Sequence, residues 1–227
     1  MSTTNPMSTT HHTEAQRAVA EVERLRGLRP VGNPLPETVA RGGDPTAHLR
    51  RLVAIEAQCH AAELAAYGTL LARFRSDRAT ELWLTLARLV QEATPKLREV
   101  ARLLGLTEAD LTRRSAERGA YAFNGALSWV ALTGCQAAAA LAMHTDMVVY
   151  FSGGTAVAGR LREAGADVPQ EFVAYYDDAG DDALRELALE VAQEGLDRGD
   201  DPDEAVFHAR RVEEAIGDIW ATAAITV

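Results

Sequence analysis

Cysteine is nearly absent from this chain: Cys59 and Cys135 are the only two among 227 residues. They form no CxxC pair and no disulfide framework, which excludes a stapled secreted scaffold and leaves a reducing cytoplasm as the expected compartment. Positive charge is also short. Lys and Arg number 23 against 33 Asp and Glu, for a formal net charge of -10, and no basic stripe dominates any segment, so a nucleic-acid partner is excluded. No phosphate-cradling loop is present, because Ser152-Gly153-Gly154-Thr155 lacks the lysine and the preceding strand. HExxH and a serine nucleophile elbow are missing as well. No segment alternates apolar and polar residues between hairpin turns, and no internal repeat occurs, so strands are not expected. A signal-type apolar stretch is not found at the N-terminus. Residues 1–13, rich in Ser, Thr, Asn and His, read as a disordered tail.

What remains is helical. Hydrophobic residues make up 47% of the chain, enough for one sizeable core. Glu14–Leu28 shows helical spacing. Residues 29–45 hold four prolines and read as a linker or as an arm draped over the body, so residues 14–45 form a helix plus a Pro/Gly-rich arm. Residues 46–227 form the main domain. Asp44 and Pro45 mark a helix start, and a long amphipathic helix runs Thr46–Arg75. Further helices are expected over Arg78–Ala93, from Thr94-Pro95 to Leu104, after a Thr107 cap, over Ala120–Thr133 and over Gln136–Phe151. Ser152-Gly153-Gly154 is expected to break or kink the chain before Thr155–Ala164. The last helices cover Pro169–Tyr176, Asp181–Leu196 and Asp203–Ala224. The expected fold class is all-α, with eight to ten helices.

From Gly119 to Gly159 the one formally charged residue is Asp146, and His144 lies beside it. A charge in so apolar a segment is costly to bury unless paired or hydrogen-bonded. Ala120–Phe151 is long enough to suggest a membrane hairpin, but Asn124, Gln136, His144 and Asp146 interrupt it and no positive flank anchors it, so no membrane partner is expected. Asp146 therefore faces a lined cavity or a structural network at the centre of a bundle. His144 and Asp146 are two apart and cannot point the same way.

Two other helices carry candidates. Glu56, His60, Glu63 and Tyr67 are spaced four, three and four apart and share one face, either a solvated stripe or a polar pocket wall. The last helix carries His208, Arg211, Glu214 and Asp218. An acid at Glu214 or Asp218 with Arg211 forms either a pocket wall or a plain ion pair. Aromatic residues such as Tyr121 and Tyr150 are mostly core, though a few lining a pocket would suit a planar ligand.

The residues Ala120-Tyr121, Thr133-Gly134, Ala139–Tyr150, Gly154, Gly159-Arg160-Leu161, Phe172–Tyr176 and Arg211–Ala223 carry a resemblance in order and spacing. Through them the second half of the chain resembles the thiaminase II family of the haem-oxygenase-like superfamily, which includes pyrroloquinoline-quinone synthase. Glu56–Phe74 looks like that family's first core helix. The resemblance implies a haem-oxygenase-like bundle, a homodimer or homotetramer, and one small-molecule pocket. The family's catalytic cysteine falls at Thr145, give or take one residue, where no cysteine stands. Its late glutamate best matches Glu214 and its early pocket acid Glu63. Two relatives in the superfamily imply metals: His60 would look like a haem ligand before a Gly-rich helix, and Glu56, His60, Glu63 and His144 would be the iron set of a di-iron oxygenase.

Taken together, the expectation is a metal-free, cofactor-free enzyme acting by acid/base chemistry on a small aromatic or heterocyclic metabolite, with secondary metabolism as its setting. Glu63, Asp146, Glu214 and His144 are its catalytic candidates. His60, Tyr67, Tyr121, Thr145, Tyr150 and Asp218 are its substrate-binding candidates. The alternatives are the iron oxygenase and a non-catalytic small-molecule-binding regulator.

Overall fold

The computed structural model describes residues 13–41, 44–113 and 115–226. These contain ten α-helices: α1 Glu14–Leu28, α2 Leu35–Ala40, α3 Thr46–Arg73, α4 Asp77–Leu103, α5 Glu108–Thr112, α6 Ala122–Thr133, α7 Gln136–Glu163, α8 Gln170–Tyr176, α9 Asp182–Asp197 and α10 Pro202–Ala223. A single 3-10 turn, Arg118–Tyr121, precedes α6. No strand occurs among the described residues, and none of the helices is long and apolar enough to cross a membrane. Of the expected tail, residues 1–12 lie outside the described residues, while Thr13 caps α1 by exchanging hydrogen bonds with Gln16.

Two expected interruptions do not occur. α4 continues through Pro95. A proline there removes the donor that would serve the Gln91 carbonyl, but Gln91 and Pro95 are both exposed, so water can take that acceptor. α7 likewise runs through Ser152-Gly153-Gly154. These glycines serve close packing. A Cβ on Gly153 would lie 3.0 Å from the Trp220 ring, and one on Gly154 would lie 3.1 Å from the Tyr176 carbonyl.

The centre of the bundle is α7. Its Ala137–Ala140 run is fully buried, and the small side chains let α9 and α10 pack closely against it. On the other side, α3 packs on α4, α6 and α10. Residues 29–41 form an arm on this body. Leu35, Pro36 and Val39 of α2 are buried, and α2 packs on α7. Asn33 donates to the Gly153 carbonyl at 3.3 Å. Arg210 donates to the Arg29 carbonyl at 3.1 Å, and Gly217 makes room for Val31. Asp44 accepts from the Thr46 N–H at 2.8 Å, although Pro45 occupies the cap position itself.

Candidate active site

A cavity of about 460 Å³ lies between α3 and α4 on one side and α7 and α8 on the other. Ile216 and Ile219 of α10 and Phe123 of α6 close it. That size suits a small molecule. The three-and-four spacing along α3 brings Glu56, Cys59, His60, Glu63 and Tyr67 to one wall, and Asp146 and Tyr150 of α7 face them. The lining cations, Arg88 and Lys96, are exposed on α4 at the rim, near Glu92 and Asp178. The depth of the cavity thus holds three carboxyl groups and neither lysine nor arginine.

The three carboxyls differ in their partners. Glu56 is buried and accepts the hydroxyls of Tyr150, Tyr175 (2.9 Å) and Tyr176. Burial raises its pKa, and the three donors only partly offset that. Glu63 accepts a single hydroxyl, from Tyr67 at 3.3 Å. Burial, and then the charges of Asp146 and Glu56, push it up to about 8. Asp146 makes no hydrogen bond or ion pair to the described residues, and burial pushes it up to about 7. Near neutral pH these two carboxyls hold between them one readily exchanged proton, an arrangement suited to donating at one and accepting at the other.

His60 is buried and neutral, its pKa pushed down to about 4 by desolvation. Its Nδ1 lies 3.0 Å from the Thr94 hydroxyl and its Nε2 lies 3.2 Å from that of Tyr175. Cys59 also lines the cavity, which its sequence context did not signal. Burial, together with Glu63, Glu56 and Asp146, drives its thiol well above the ordinary value. A thiolate is therefore disfavoured there, and Cys59 is poorly placed as a nucleophile.

The expected site residues divide cleanly. Glu63, Asp146, His60, Tyr67 and Tyr150 line the one cavity, with Glu56 beside them. The other five lie away from it. His144 sits about 200° around α7 from Asp146 at about 100° per residue. It is pushed down to about 4 by burial and then by Arg185 and Arg26, on the side of α9 and α1. Glu214 is ion-paired with Arg211 and reaches Arg210 at 3.5 Å. Asp218 is exposed. Tyr121 donates to the Ser115 carbonyl at 2.8 Å, and Thr145 is buried outside the lining.

The metal readings do not fit this arrangement. His144 cannot join Glu56, His60 and Glu63 from the far side of α7, and three tyrosines already occupy Glu56. Among the described residues no group of three or more His, Cys, Asp or Glu could hold a metal ion. The glycines that suggested a haem-binding helix are filled by Trp220 and Tyr176.

Neither a family model nor a curated protein matches this chain. Among solved structures, the X-ray structure of a TenA homologue from Pyrococcus furiosus is similar, with a TM-score of 0.69 and 15% identity over 92% of this chain and 99% of that one. The ten helices and the comparison agree, and the chain has the all-α, haem-oxygenase-like fold of that TenA homologue.

Proposed function

We propose that this chain is an acid/base enzyme acting on a small aromatic or heterocyclic metabolite with a protonatable nitrogen, and that Asp146 and Glu63 carry the proton transfer. One observation carries the reading. Asp146 is an unpaired carboxyl facing the cavity opposite a second carboxyl, and both titrate near neutrality. Burying an unpaired acid has a stability cost, which a binding or catalytic role explains. A ligand cation or N–H donor would supply the partner that Asp146 lacks. The surrounding rings of Tyr150, Phe151 and Tyr175 suit a planar ligand. The TenA-like fold supports an enzyme of this kind, but the residues assigned here replace a thiol mechanism with a carboxylate one.

The test is a thermal-shift screen of aminopyridine-, aminopyrimidine- and imidazole-type compounds, followed by turnover assays on the hits. Asp146→Asn and Glu63→Gln are each expected to lower turnover by about 10²–10⁴-fold, the usual weight of general acid–base catalysis. Retained turnover in both variants would overturn the assignment. Tight binding without any turnover would favour a binding protein instead.

A further inference from the structure

The hydrogen bonds around His60 have a determined direction. The Thr94 hydroxyl donates to the Val90 carbonyl at 2.7 Å, so towards His60 Nδ1 it is an acceptor. Nδ1 therefore carries the imidazole proton, and Nε2 presents a lone pair to the Tyr175 hydroxyl at 3.2 Å. The Tyr175 hydroxyl has one proton and two acceptors, Glu56 Oε1 at 2.9 Å and His60 Nε2.

When Glu56 is ionised, Tyr150, Tyr175 and Tyr176 all donate to it. When Glu56 takes up a proton, its new O–H must donate to one of those oxygens, and that tyrosine must then donate elsewhere. Tyr176 makes no other hydrogen bond to the described residues. The Tyr150 hydroxyl neighbours that of Tyr175, so a reversal through Tyr150 also ends at Tyr175. His60 Nε2 is the acceptor at the end of either route.

We propose that Thr94, His60 and Tyr175 form a built-in hydrogen-bond relay, in which His60 Nε2 accepts the hydrogen bond of the tyrosine hydroxyl displaced when Glu56 is protonated. His60 and Thr94 are positioning residues in it, acting on Glu56 through Tyr175. The relay reverses hydrogen bonds in sequence: Glu56 O–H to Tyr175 O, then Tyr175 O–H to His60 Nε2. The incoming proton stays on Glu56, and His60 remains neutral throughout. The titratable groups facing Glu56 are the three tyrosines from α7 and α8, and His60, Cys59 and Glu63 from α3, with Asp146 further along α7. Protonating Glu56 thus leaves no polar atom of this wall unpaired, because the displaced hydroxyl turns to His60 Nε2, which lacks a donor of its own while Glu56 is ionised. The relay belongs to the ligand-free protein and stands apart from the catalytic assignment of Asp146 and Glu63.

The experiment is ¹⁵N NMR of histidine-labelled full chain, with the His60 signals identified by their loss in His60→Gln. The expected result is the Nδ1–H tautomer in the wild type, the opposite of the form favoured by a free histidine side chain. Thr94→Val is expected to shift the population towards Nε2–H, and Thr94→Ser to keep the wild-type form. Glu56→Gln, whose amide donates as the protonated acid would, is expected to strengthen the hydrogen bond read at Nε2, while Tyr175→Phe removes it. An Nε2–H tautomer in the wild type, or an Nε2 signal indifferent to both Glu56→Gln and Tyr175→Phe, overturns the proposal. Circular dichroism and melting curves confirm that each variant is folded, and Thr94→Ser keeps the test decisive if Thr94→Val unfolds.

Discussion

Two buried charge clusters in this molecule are built on opposite terms. One joins the N-terminal arm to α10. There Glu213, 1% exposed, is held between Arg26 and Arg210, and Arg210 also reaches Glu214 and the Arg29 carbonyl. Each acid in that cluster meets a guanidinium. The other is the cavity wall, where Glu56, Glu63 and Asp146 meet tyrosine hydroxyls or nothing. A buried ion pair of this kind is a joint, and removing one partner strands the other. Acids gathered without a cation have their protonation states raised into the working range, which stores the capacity to exchange protons at the expense of stability. The contrast separates structural charge from chemical charge within one fold.

The sharpest way to break the contrast is at the joint. Glu213→Ala leaves Arg26 and Arg210 facing each other, and the expected loss is about 3–5 kcal/mol, the usual cost of breaking a buried pair. Urea denaturation of the full chain measures it, and a loss below about 1 kcal/mol would show that solvent already reaches the pair.

The second test uses pH. Glu63 and Asp146 have raised folded-state pKa values, so the native state binds more protons than the unfolded one, and stability falls as pH rises towards about 8 and about 7 respectively. His60 and His144 are depressed to about 4, so between about 4 and 6.5 they work in the opposite direction, stability rising with pH. The two trends oppose each other below pH 6.5, and the carboxyl trend stands alone above it. Melting temperatures are therefore expected to fall from pH 6.5 to 8.5 in the wild type, and to fall less in Asp146→Asn and Glu63→Gln. An unchanged slope in both variants would show that these carboxyls are already ionised at neutral pH.

The smallest effect is expected from Glu214→Gln. Its ion pair with Arg211 joins two half-exposed side chains, so its stability cost should stay within about 1 kcal/mol. Ligand binding and turnover are expected to remain at wild-type levels, because Glu214 lies outside the cavity. A large loss of either would place Glu214 in the machinery and weaken the division between the two clusters.

The helical content, the α3 polar stripe and the isolation of Asp146 were legible from residue spacing alone. Helical periodicity put Glu56, His60, Glu63 and Tyr67 on one face, and they share one wall. The rim on α4 carried no signal, because Arg88, Glu92 and Lys96 read as the ordinary solvated side of an amphipathic helix. Glu214 and His144 were misplaced for a related reason: periodicity reports which residues share a face of a helix, not which neighbour that face meets. The expected breaks at Thr94-Pro95 and Ser152-Gly153-Gly154 follow local propensity. In the fold, exposure of the Gln91 region and the packing of Trp220 and Tyr176 override it.

The sequence by itself determined that this is an all-helical chain with an acid placed in its most apolar segment, because helix period, capping residues and the scarcity of charge are local properties. Tertiary structure alone decided that Asp146 rather than His144 faces the cavity, that Glu56 gathers three tyrosines from two other helices, and that Glu214 pairs with arginine instead. Each of these depends on which distant helix lies opposite, and so on how the whole bundle buries its apolar surface.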